Sequence, residues 1–235
     1  MTAHLFSFYV PALAESDATI EIGGDEHRHL ARVLRMSRGE AIRVTNGRGL
    51  RVAAAIESIG ASKTLARVTA VDKLDPPRAR LALALGVIQR AHFEIAVSQC
   101  VEVGVTEFIP VLAEKCHARA WSSATRTRAE RVAIAAMKQS DRSWLPPIRD
   151  AVTVAELARS ISGFGRAVLA DADGAAGVLG ASGDTLAIVG PEGGFADPEI
   201  ETLVAAGATR AVLAPHRLRA GTAAVVLVAA LGRGV

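Results

Sequence analysis

The chain has 235 residues, half of them apolar, and carries a formal net charge of +3. This length and composition allow one large domain or two smaller ones with an ample core, and they exclude a disordered chain. The longest uncharged apolar run, residues 220–232, is too short to span a bilayer. Cys100 and Cys116 are too few for a disulfide framework, and their spacing suits no zinc site. We therefore expect two reduced thiols, a cytoplasmic location, no membrane contact and no bound metal.

Charge is unevenly distributed along the chain. Residues 28–51 contain seven arginines and one acid, whereas residues 150–201 contain nine acids and two arginines. A basic N-terminal region indicates a surface that binds a polyanion, attached to an acidic region with a different task. Arginine supplies 23 of the 27 cations and suits bidentate phosphate contacts, although a GC-rich genome would produce the same bias.

The first 74 residues predict a small, mostly antiparallel β domain that carries one basic helix. Residues 4–10 indicate a strand and not a secretory signal, because no Lys or Arg precedes the apolar stretch and Pro11 interrupts it. Asp25 is a suitable cap for a helix from Glu26 to about Met36. Further strands are predicted at residues 41–45, 51–59 and 64–71, with turn signals at Asn46-Gly47 and at residues 60–62.

The predicted helix carries a stripe of cations. Arg28, Arg32 and Arg35 fall at positions i, i+4 and i+7, and Arg38 follows them. Such a stripe is typical of a phosphate-binding face, and a simply solvated face explains it equally well. His27 and His29 are not spaced to share one helix face as metal ligands, so we expect both to be polar surface residues.

Asp75-Pro76-Pro77 predicts a linker, beyond which strands alternate with helices. This alternation is typical of a parallel sheet covered by helices. The predicted strands are 81–87, 108–112, 167–170, 186–189 and 211–213. The predicted helices are 93–103, 126–140, 154–161, 198–206 and 222–231. The last helix is apolar all round, which predicts complete burial or a subunit interface.

Two loops near the C-terminus are candidates for one binding pocket. After the strand at 186–189, Gly190, Pro191, Gly193 and Gly194 let the backbone approach a ligand closely. Asp197 is a good N-cap for the helix that follows, which places a helix N-terminus beside the turn. A second loop, residues 214–221, leads from the last strand into the last helix. A single loop of this kind is also found in ordinary strand-to-helix connections.

Five stretches together are similar to the RsmE family of ribosomal RNA methyltransferases, within the SPOUT superfamily. They are HLARVLRMSRGE (29–40), VEVGV with FIPV (101–111), AAMKQSDRSWLPPI (135–148), VGPEGGF (189–195) and LRAGTAA (218–224). The VGPEGGF loop is the most specific of them. Their order and spacing extend over nearly the whole chain.

The resemblance implies an α/β architecture in two parts. Residues 1–74 would form a PUA-like β-barrel domain that binds RNA, and residues 75–235 a parallel-sheet SPOUT methyltransferase domain with a C-terminal trefoil knot. It also implies a homodimer and a role in ribosome biogenesis. The methyl donor would be S-adenosyl-L-methionine, and the acceptor would be N3 of a uridine in small-subunit (16S) ribosomal RNA within the assembled subunit.

The resemblance also implies site residues. The cofactor would lie among the knotted loops, against Leu169, Ala170, Gly190, Pro191, Glu192, Gly193, Gly194, Leu213, Ala214, Pro215, Leu218 and Ala220. Gln139 and Arg142 would position RNA or the target base. Glu192 is alternatively a residue that holds the loops together by accepting backbone hydrogen bonds.

The chain departs from the family pattern in two loops. The last loop usually reads Leu-Gly-x-Arg-Ile-Leu-Arg-x-Glu-Thr-Ala, whereas here Ala214, His216, Arg217 and Gly221 replace the glycine, first arginine, isoleucine and glutamate. The Lys-Gly-Asp-Arg-like turn of the family is here residues 89–92, Gln-Arg-Ala-His. These departures affect side chains, so we expect substrate binding or activity to change more than cofactor binding through backbone groups.

Two residues are candidates for the chemistry. Methyl transfer is an in-line displacement that depends mainly on positioning, and the N3 proton of uridine must leave before or during attack. Arg219 is the first candidate to stabilise the resulting anion, with a purely structural or phosphate-binding arginine as the alternative. His216 is a candidate general base, because a histidine imidazole accepts a proton near neutral pH.

Two other functions remain open at this stage. One is a non-catalytic RNA-binding protein with a degraded methyltransferase site, which the residues at His216 and Gly221 suggest. The other is an unrelated α/β enzyme that binds a phosphate at the glycine turn, which the lack of a P-loop Lys-Ser/Thr pair disfavours.

Overall fold

The computed structural model describes residues 5–116, 120–176 and 183–232, and the chain divides into two compact units. The first unit comprises the chain up to Pro76 together with Met137–Leu145. The second unit comprises Pro77–Ala136 and the chain from Pro146 onward. The predicted linker at residues 75–77 therefore contains the break between units, but a later segment returns to the first unit.

The first unit is built on one five-stranded sheet. Its strands are β1 (Ser7–Tyr9), β2 (Thr19–Gly23), β3 (Ala41–Thr45), β4 (Leu50–Ile59) and β5 (Lys63–Lys73). The order is β1-β3-β4-β5-β2, with β1 parallel to β3 and every other neighbour antiparallel. The mostly antiparallel domain and the turn at Asn46-Gly47 are thus confirmed. The short β2 was not predicted, because its alternating pattern extends over few residues.

The basic helix is shorter than predicted. Helix α1 (Gly24–Arg28) continues into a π-helical turn at His29–Val33 and ends there. Arg35 has a φ of +53°, in the left-handed region, so the helix cannot continue to Met36. Asp25 lies in the first turn and pairs with Arg28 instead of capping the helix, whose N-cap is Gly23.

The expectation for His27 was wrong. Its ring is buried, and Nδ1 lies 2.9 Å from Oγ1 of Thr64 in β5. The first turn of α1 directs this side chain onto the sheet, where the threonine hydroxyl satisfies it. His29 is exposed, as predicted.

Polar and aromatic contacts hold residues 137–145 within the first unit. Trp144 Nε1 donates to the carbonyl oxygen of Leu74 at 3.2 Å. Lys138 Nζ lies 2.6 Å from Glu26 Oε1, and both side chains are largely buried. Asp141 pairs with Arg43. These contacts join positions that are 70 to 112 residues apart, so no local pattern could have predicted them.

The second unit contains a six-stranded parallel sheet. Its strands are β6 (Leu81–Gly86), β7 (Glu107–Leu112), β8 (Val152–Thr153), β9 (Arg166–Ala176), β10 (Thr185–Val189) and β11 (Ala208–Val212). The order is β11-β9-β10-β6-β7-β8, and each strand is parallel to its neighbours. Every residue of β6 and β10 is buried, as continuous apolar runs in a covered parallel sheet require. The predicted parallel sheet is confirmed.

Five helices complete the described part of the chain. They are α2 (Arg90–Glu102), α3 (Ser123–Gln139), α4 (Val154–Ser160), α5 (Asp197–Ala205) and α6 (Ala220–Leu231). Helix α5 begins at Asp197 and its N-cap is Ala196, so Asp197 is not the cap that was predicted. Glu199 accepts the Ala196 N–H at 2.8 Å instead. Among these helices none is long and apolar enough to cross a membrane.

Strand β9 is interrupted where the sequence predicted its end. Arg210 in β11 pairs with Leu169, but the next residue, Ala211, pairs with Ala175. Residues 170–174 therefore leave the ladder, and the strand resumes after them. We refer to these five residues as the β9 insert.

Two pairs of segments approach each other backbone to backbone. A Cβ atom at Gly86, the last residue of β6, would lie 2.6 Å from Cδ of Pro191. A Cβ atom at Gly174 would lie 2.6 Å from Cα of Ala211. Only glycine fits at these positions, so the end of β6 lies against the turn after β10, and the β9 insert lies against β11.

Because the backbones approach so closely at Gly86, one added methyl group there should strongly destabilise the protein. Gly86→Ala should lower the free energy of unfolding by about 2 kcal/mol or more, because the backbone of Pro191 has to move. Gly163→Ala is the matched control, since a Cβ there meets no atom within 4 Å. Urea denaturation of both variants measures the difference, and equal stability of the two would contradict the packing argument.

Candidate active site

The carboxyl ends of four parallel strands meet at one edge of the sheet in the second unit. The segments at this edge are residues 87–89 after β6, the β9 insert within β9, residues 190–196 after β10 and residues 213–219 after β11. In the sheet, β7 and β8 lie on one side of β6, and β10 lies on the other side. Open α/β sheets bind ligands at such an edge, where the strand order reverses.

These loops enclose a cavity of about 810 Å³. Eleven of the twelve predicted cofactor-binding residues line it: Leu169, Ala170, Gly190, Pro191, Glu192, Gly194, Leu213, Ala214, Pro215, Leu218 and Ala220. Gly193 is the exception, because it faces Lys115, whose Cβ would lie 3.0 Å from a Cβ at this glycine. The tertiary structure thus brings together three loops that are up to about 50 residues apart.

The sequence patterns missed one wall of the cavity. This wall comes from the loop after β6, from α2 and from the start of α5, and its residues are Ile88, His92, Ile95, Gln99, Phe195 and Ile200. His92, Ile95 and Gln99 have the spacing of one helix face, which was the available signal. That spacing is equally typical of a face buried in the core, so it did not identify a site.

Glu192 joins two of the loops. Its Oε1 accepts the backbone N–H of Gln89 at 3.0 Å and lies 3.8 Å from Nδ1 of His92. The glutamate in the glycine turn therefore does accept a backbone hydrogen bond, as one of the two hypotheses for it predicted. It fixes the turn after β10 against the first residue before α2.

The β9 insert is fixed by a charged pair. Arg210 Nε donates to Oδ2 of Asp171 at 2.7 Å, and the Asp173 N–H donates to Oδ1 at 3.0 Å. Burial by itself raises the pKa of Asp171. The hydrogen bonds from Arg210 and Asp173 and the guanidinium charge together outweigh it and hold that pKa below its usual range. Asp171 lines the cavity, so this pair shapes its wall.

Both residues proposed for the chemistry line the cavity and are exposed in it. Arg219 is the N-cap of α6, and its carbonyl oxygen accepts the Ala223 N–H at 2.8 Å. His216 lies in the loop just before it. Gly221 and Thr222 also line the cavity, which places the first turn of α6 at its wall. The N–H groups of a first helical turn favour negative charge.

The six predicted RNA-binding residues all belong to the first unit. Arg28, Arg32, Arg35, Arg38 and Gln139 are exposed, and Arg142 is half-buried. Burial lowers the pKa of the Arg142 guanidinium. The straight helical stripe of three arginines does not form, because Arg35 lies beyond the end of the helix. Residues 139 and 142 were predicted within the second domain, whereas the structure groups them with the basic region.

The cysteines have no part in this cavity. Burial raises the pKa of Cys100 to about 12, so its thiol stays protonated. Cys116 is half-buried, and burial again raises its pKa. Within residues 5–116, 120–176 and 183–232, no group of three or more His, Cys, Asp or Glu side chains is arranged to hold a metal ion.

Two family models match this chain. A model described as an RNA methyltransferase domain matches residues 75–232, and one described as an RNA methyltransferase PUA domain matches residues 22–69. The first match alone covers more than half of the chain. The fold and the cavity at the carboxyl edge of the sheet are thus those of an RNA methyltransferase.

Individual relatives give a narrower family. Ribosomal RNA small subunit methyltransferase E of Mycobacterium tuberculosis is 30% identical over 237 residues, which cover 96% of this chain and 90% of that protein. The same enzyme of Rickettsia conorii is 28% identical over 94% of this chain and 92% of its own. The chain belongs to the ribosomal RNA small subunit methyltransferase E family, and the resemblance stated above is confirmed.

Solved structures have the same fold. The crystal structure of ribosomal RNA small subunit methyltransferase E from Neisseria gonorrhoeae, bound to S-adenosyl methionine, has a TM-score of 0.88 and 26% identity, covering 97% of this chain and 96% of that one. A probable rRNA-methyltransferase from Porphyromonas gingivalis has a TM-score of 0.81 and 31% identity, covering 95% of both chains.

The charged pair at the β9 insert predicts a pH-dependent effect. Asp171→Asn should lower the free energy of unfolding at pH 7 by about 1–2 kcal/mol, because Arg210 loses a charged acceptor. The folded-state pKa of Asp171 is lowered, so the carboxylate stabilises the fold above the unfolded pKa of about 3.9. This contribution is lost as the pH falls through the folded pKa. Urea titrations should therefore give a difference from wild type that shrinks below about pH 4.

Asp173→Asn is the matched control for this prediction. Its carboxylate is 87% exposed and lies 3.6 Å from Arg210 Nη2, so its removal should change stability little. An Asp171→Asn effect of the same size at pH 3 and pH 7 would contradict the assignment to the charged pair.

Proposed function

We propose that this chain methylates N3 of a uridine in small-subunit (16S) ribosomal RNA, with S-adenosyl-L-methionine as the methyl donor. The observation that carries the proposal is the cavity at the carboxyl edge of the sheet, in a chain of this methyltransferase family. The substrate class is supported by the names of the relatives in Mycobacterium and Rickettsia.

The cavity suits S-adenosyl-L-methionine in size and in lining. Its volume of about 810 Å³ lies in the range of small-molecule sites. Ile88, Leu169 and Leu218 offer apolar walls for a flat base, while the glycine turn at 190–194 exposes backbone groups for polar contacts. The related Neisseria protein was crystallised with this cofactor. When bound, the cofactor supplies the methyl group as an electrophile.

The loops would hold the cofactor mainly through backbone groups. The turns at 190–194 and 213–218 border the cavity, and Glu192 and Asp171 fix the first turn and the β9 insert in place. Backbone recognition explains how Ala214 can replace the family's glycine without loss of the cavity. The first turn of α6 favours a negative group at the adjacent wall.

Arg219 and His216 would act on the uridine. Loss of the N3 proton places negative charge on the neighbouring carbonyl oxygens, and a guanidinium at the cavity wall stabilises that charge. His216 would accept the proton. Both side chains are exposed to the cavity, so they are available to a bound base.

RNA would bind first through the basic unit. Arg28, Arg32, Arg35 and Arg38 are exposed, and Gln139 and Arg142 belong to the same unit. A cluster of this kind contacts phosphates without reading sequence. We propose the assembled small subunit as the substrate, because recognition of RNA shape needs a folded target.

We also propose the remaining features that the family resemblance implies: two functional domains that meet at residue 75, a trefoil knot formed by the cavity loops, a homodimer and a cytoplasmic location. The pairing of β11 with two separated parts of β9 supports the knot. Helix α6 supports the homodimer, because Val225, Val226, Ala229 and Ala230 are apolar and only half-buried.

Two residues of the larger cavity are compatible with a second function. His216 and Gly221 depart from the family pattern, and both line the cavity. Such changes are compatible with an RNA-binding protein that keeps the fold and the cofactor cavity but no longer transfers the methyl group.

The first experiment measures methyl transfer from labelled S-adenosyl-L-methionine to small ribosomal subunits that lack the modification. We expect incorporation into 16S ribosomal RNA, and nucleoside mass spectrometry should identify N3-methyluridine. Free 16S ribosomal RNA serves as the comparison substrate and should accept less label. Methylation of another atom would contradict the N3 assignment, and cofactor binding without transfer would favour the non-catalytic function.

Two variants separate binding from chemistry. Arg219→Ala should lower turnover about 100-fold or more, because the developing anion loses its cation. His216→Asn should lower turnover about 100-fold by removal of the base. Neither should change the affinity for S-adenosyl-L-methionine, measured by calorimetry. Arg159→Ala, an exposed arginine on α4, is the control and should behave as wild type. Unchanged turnover in either cavity variant would contradict the role assigned to that residue.

A further inference from the structure

A second, smaller cavity lies beside the first in the same unit. Its volume is about 280 Å³. Its walls include Phe93 and Glu94 of α2, Trp121 just before α3, and Thr125 within α3. Ile88 lines both cavities, so they adjoin at this residue. Neither the family match nor the proposed chemistry gives this smaller cavity a role.

Aromatic rings form one wall of the smaller cavity. The ring centroids of Phe93 and Trp121 lie 5.1 Å apart with an interplanar angle of 59°. Phe93 is buried, whereas Trp121 is half-buried, and both line the cavity. Flat rings of this kind are the surfaces on which unpaired bases stack, whatever their sequence.

The indole N–H of Trp121 is not open to the cavity. Its Nε1 is inaccessible to solvent and has no hydrogen-bond partner among the residues that the structure describes. A ligand oxygen would need the space of a water molecule to accept this hydrogen bond, so the part of Trp121 that a ligand in the cavity can contact is the ring.

A carboxylate in the wall of the smaller cavity favours a neutral occupant inside it. Glu94 lines the cavity, and its Oε1 pairs with Nε of Arg128 at 2.8 Å. The Glu94 carboxylate would repel a phosphate inside the cavity, whereas it would not repel a neutral base. Gln89 and Arg90 are exposed at the cavity, at the N-terminus of the 13-residue α2, where a phosphate is favourable. The cavity is therefore suited to a neutral ring inside it and to a phosphate at its edge.

The loop before α2 belongs to both cavities. Gln89 lines the smaller cavity, and its backbone N–H donates to Glu192, which lines the larger one. Two cavities that share one wall residue are suited to two neighbouring nucleotides of one strand.

We propose that the smaller cavity binds an unpaired base of the RNA, from a nucleotide next to the methylated one. The base would stack on the face of the Trp121 indole with the tilted Phe93 ring at its edge, and the adjoining phosphate would contact Arg90. This site makes the enzyme sensitive to whether the nucleotide beside its target is unpaired. The inference rests on the proposed function, because the larger cavity must receive the target nucleotide.

The test reads the fluorescence of Trp121 directly. Trp121 and Trp144 are the two tryptophans of the chain, so full-length Trp144→Phe leaves Trp121 as the sole indole. Single-stranded hexauridylate should quench this fluorescence in a saturable way. A ribose-phosphate hexamer without bases, which carries the same charge, should not. Equal quenching by both, or none by hexauridylate, would overturn the proposal.

Two variants of Trp121 complete the test, with hexauridylate affinity measured by calorimetry. Trp121→Ala should weaken binding about tenfold or more, and Trp121→Phe, which keeps a smaller ring for stacking, about threefold. Unchanged affinity for S-adenosyl-L-methionine shows that each variant is folded, and Trp121→Phe carries the test if Trp121→Ala fails to fold. Wild-type affinity of the folded variants would contradict the proposal. Quenching without methyl transfer to subunits would leave the base site standing and reject the proposed function alone.

Discussion

The close backbone approach of β6 to the turn after β10 is the constraint on which the rest of the second unit depends. At Gly86 there is no room for a side chain, because Pro191 occupies the space that a Cβ would take. The same holds at Gly174 against Ala211. These contacts draw the loops of four parallel strands into one group and leave a cavity whose walls are mostly backbone and apolar side chains.

Polar contacts then fix the loops that packing brings together. Glu192 holds the glycine turn to the residue before α2, and Asp171 holds the β9 insert to β11 through Arg210. Both carboxylates line the cavity while accepting hydrogen bonds from other loops. The walls are therefore fixed in advance, which reduces the ordering cost of binding. A methyl transfer that depends on positioning benefits from such walls.

We propose different tasks for the two units. The first unit carries the exposed arginines, and the second unit contains both cavities. In the second unit Ile88 lines both the cavity proposed for the cofactor and target and the one proposed for an adjacent base. Affinity from charge and affinity from stacking would then come from different parts of the protein.

The sequence alone determined the features that depend on neighbouring residues. The apolar run of β6, the turn at Asn46-Gly47 and the glycine turn at 190–194 were all predicted. About half of the residues that line the larger cavity were predicted through the family motifs. Only the tertiary structure decided the burial of His27, the return of residues 137–145 to the first unit, the β9 insert and the aromatic wall of the smaller cavity. Each of these depends on partners that are distant in the chain, and the side-chain patterns of a single sequence carry no record of such contacts.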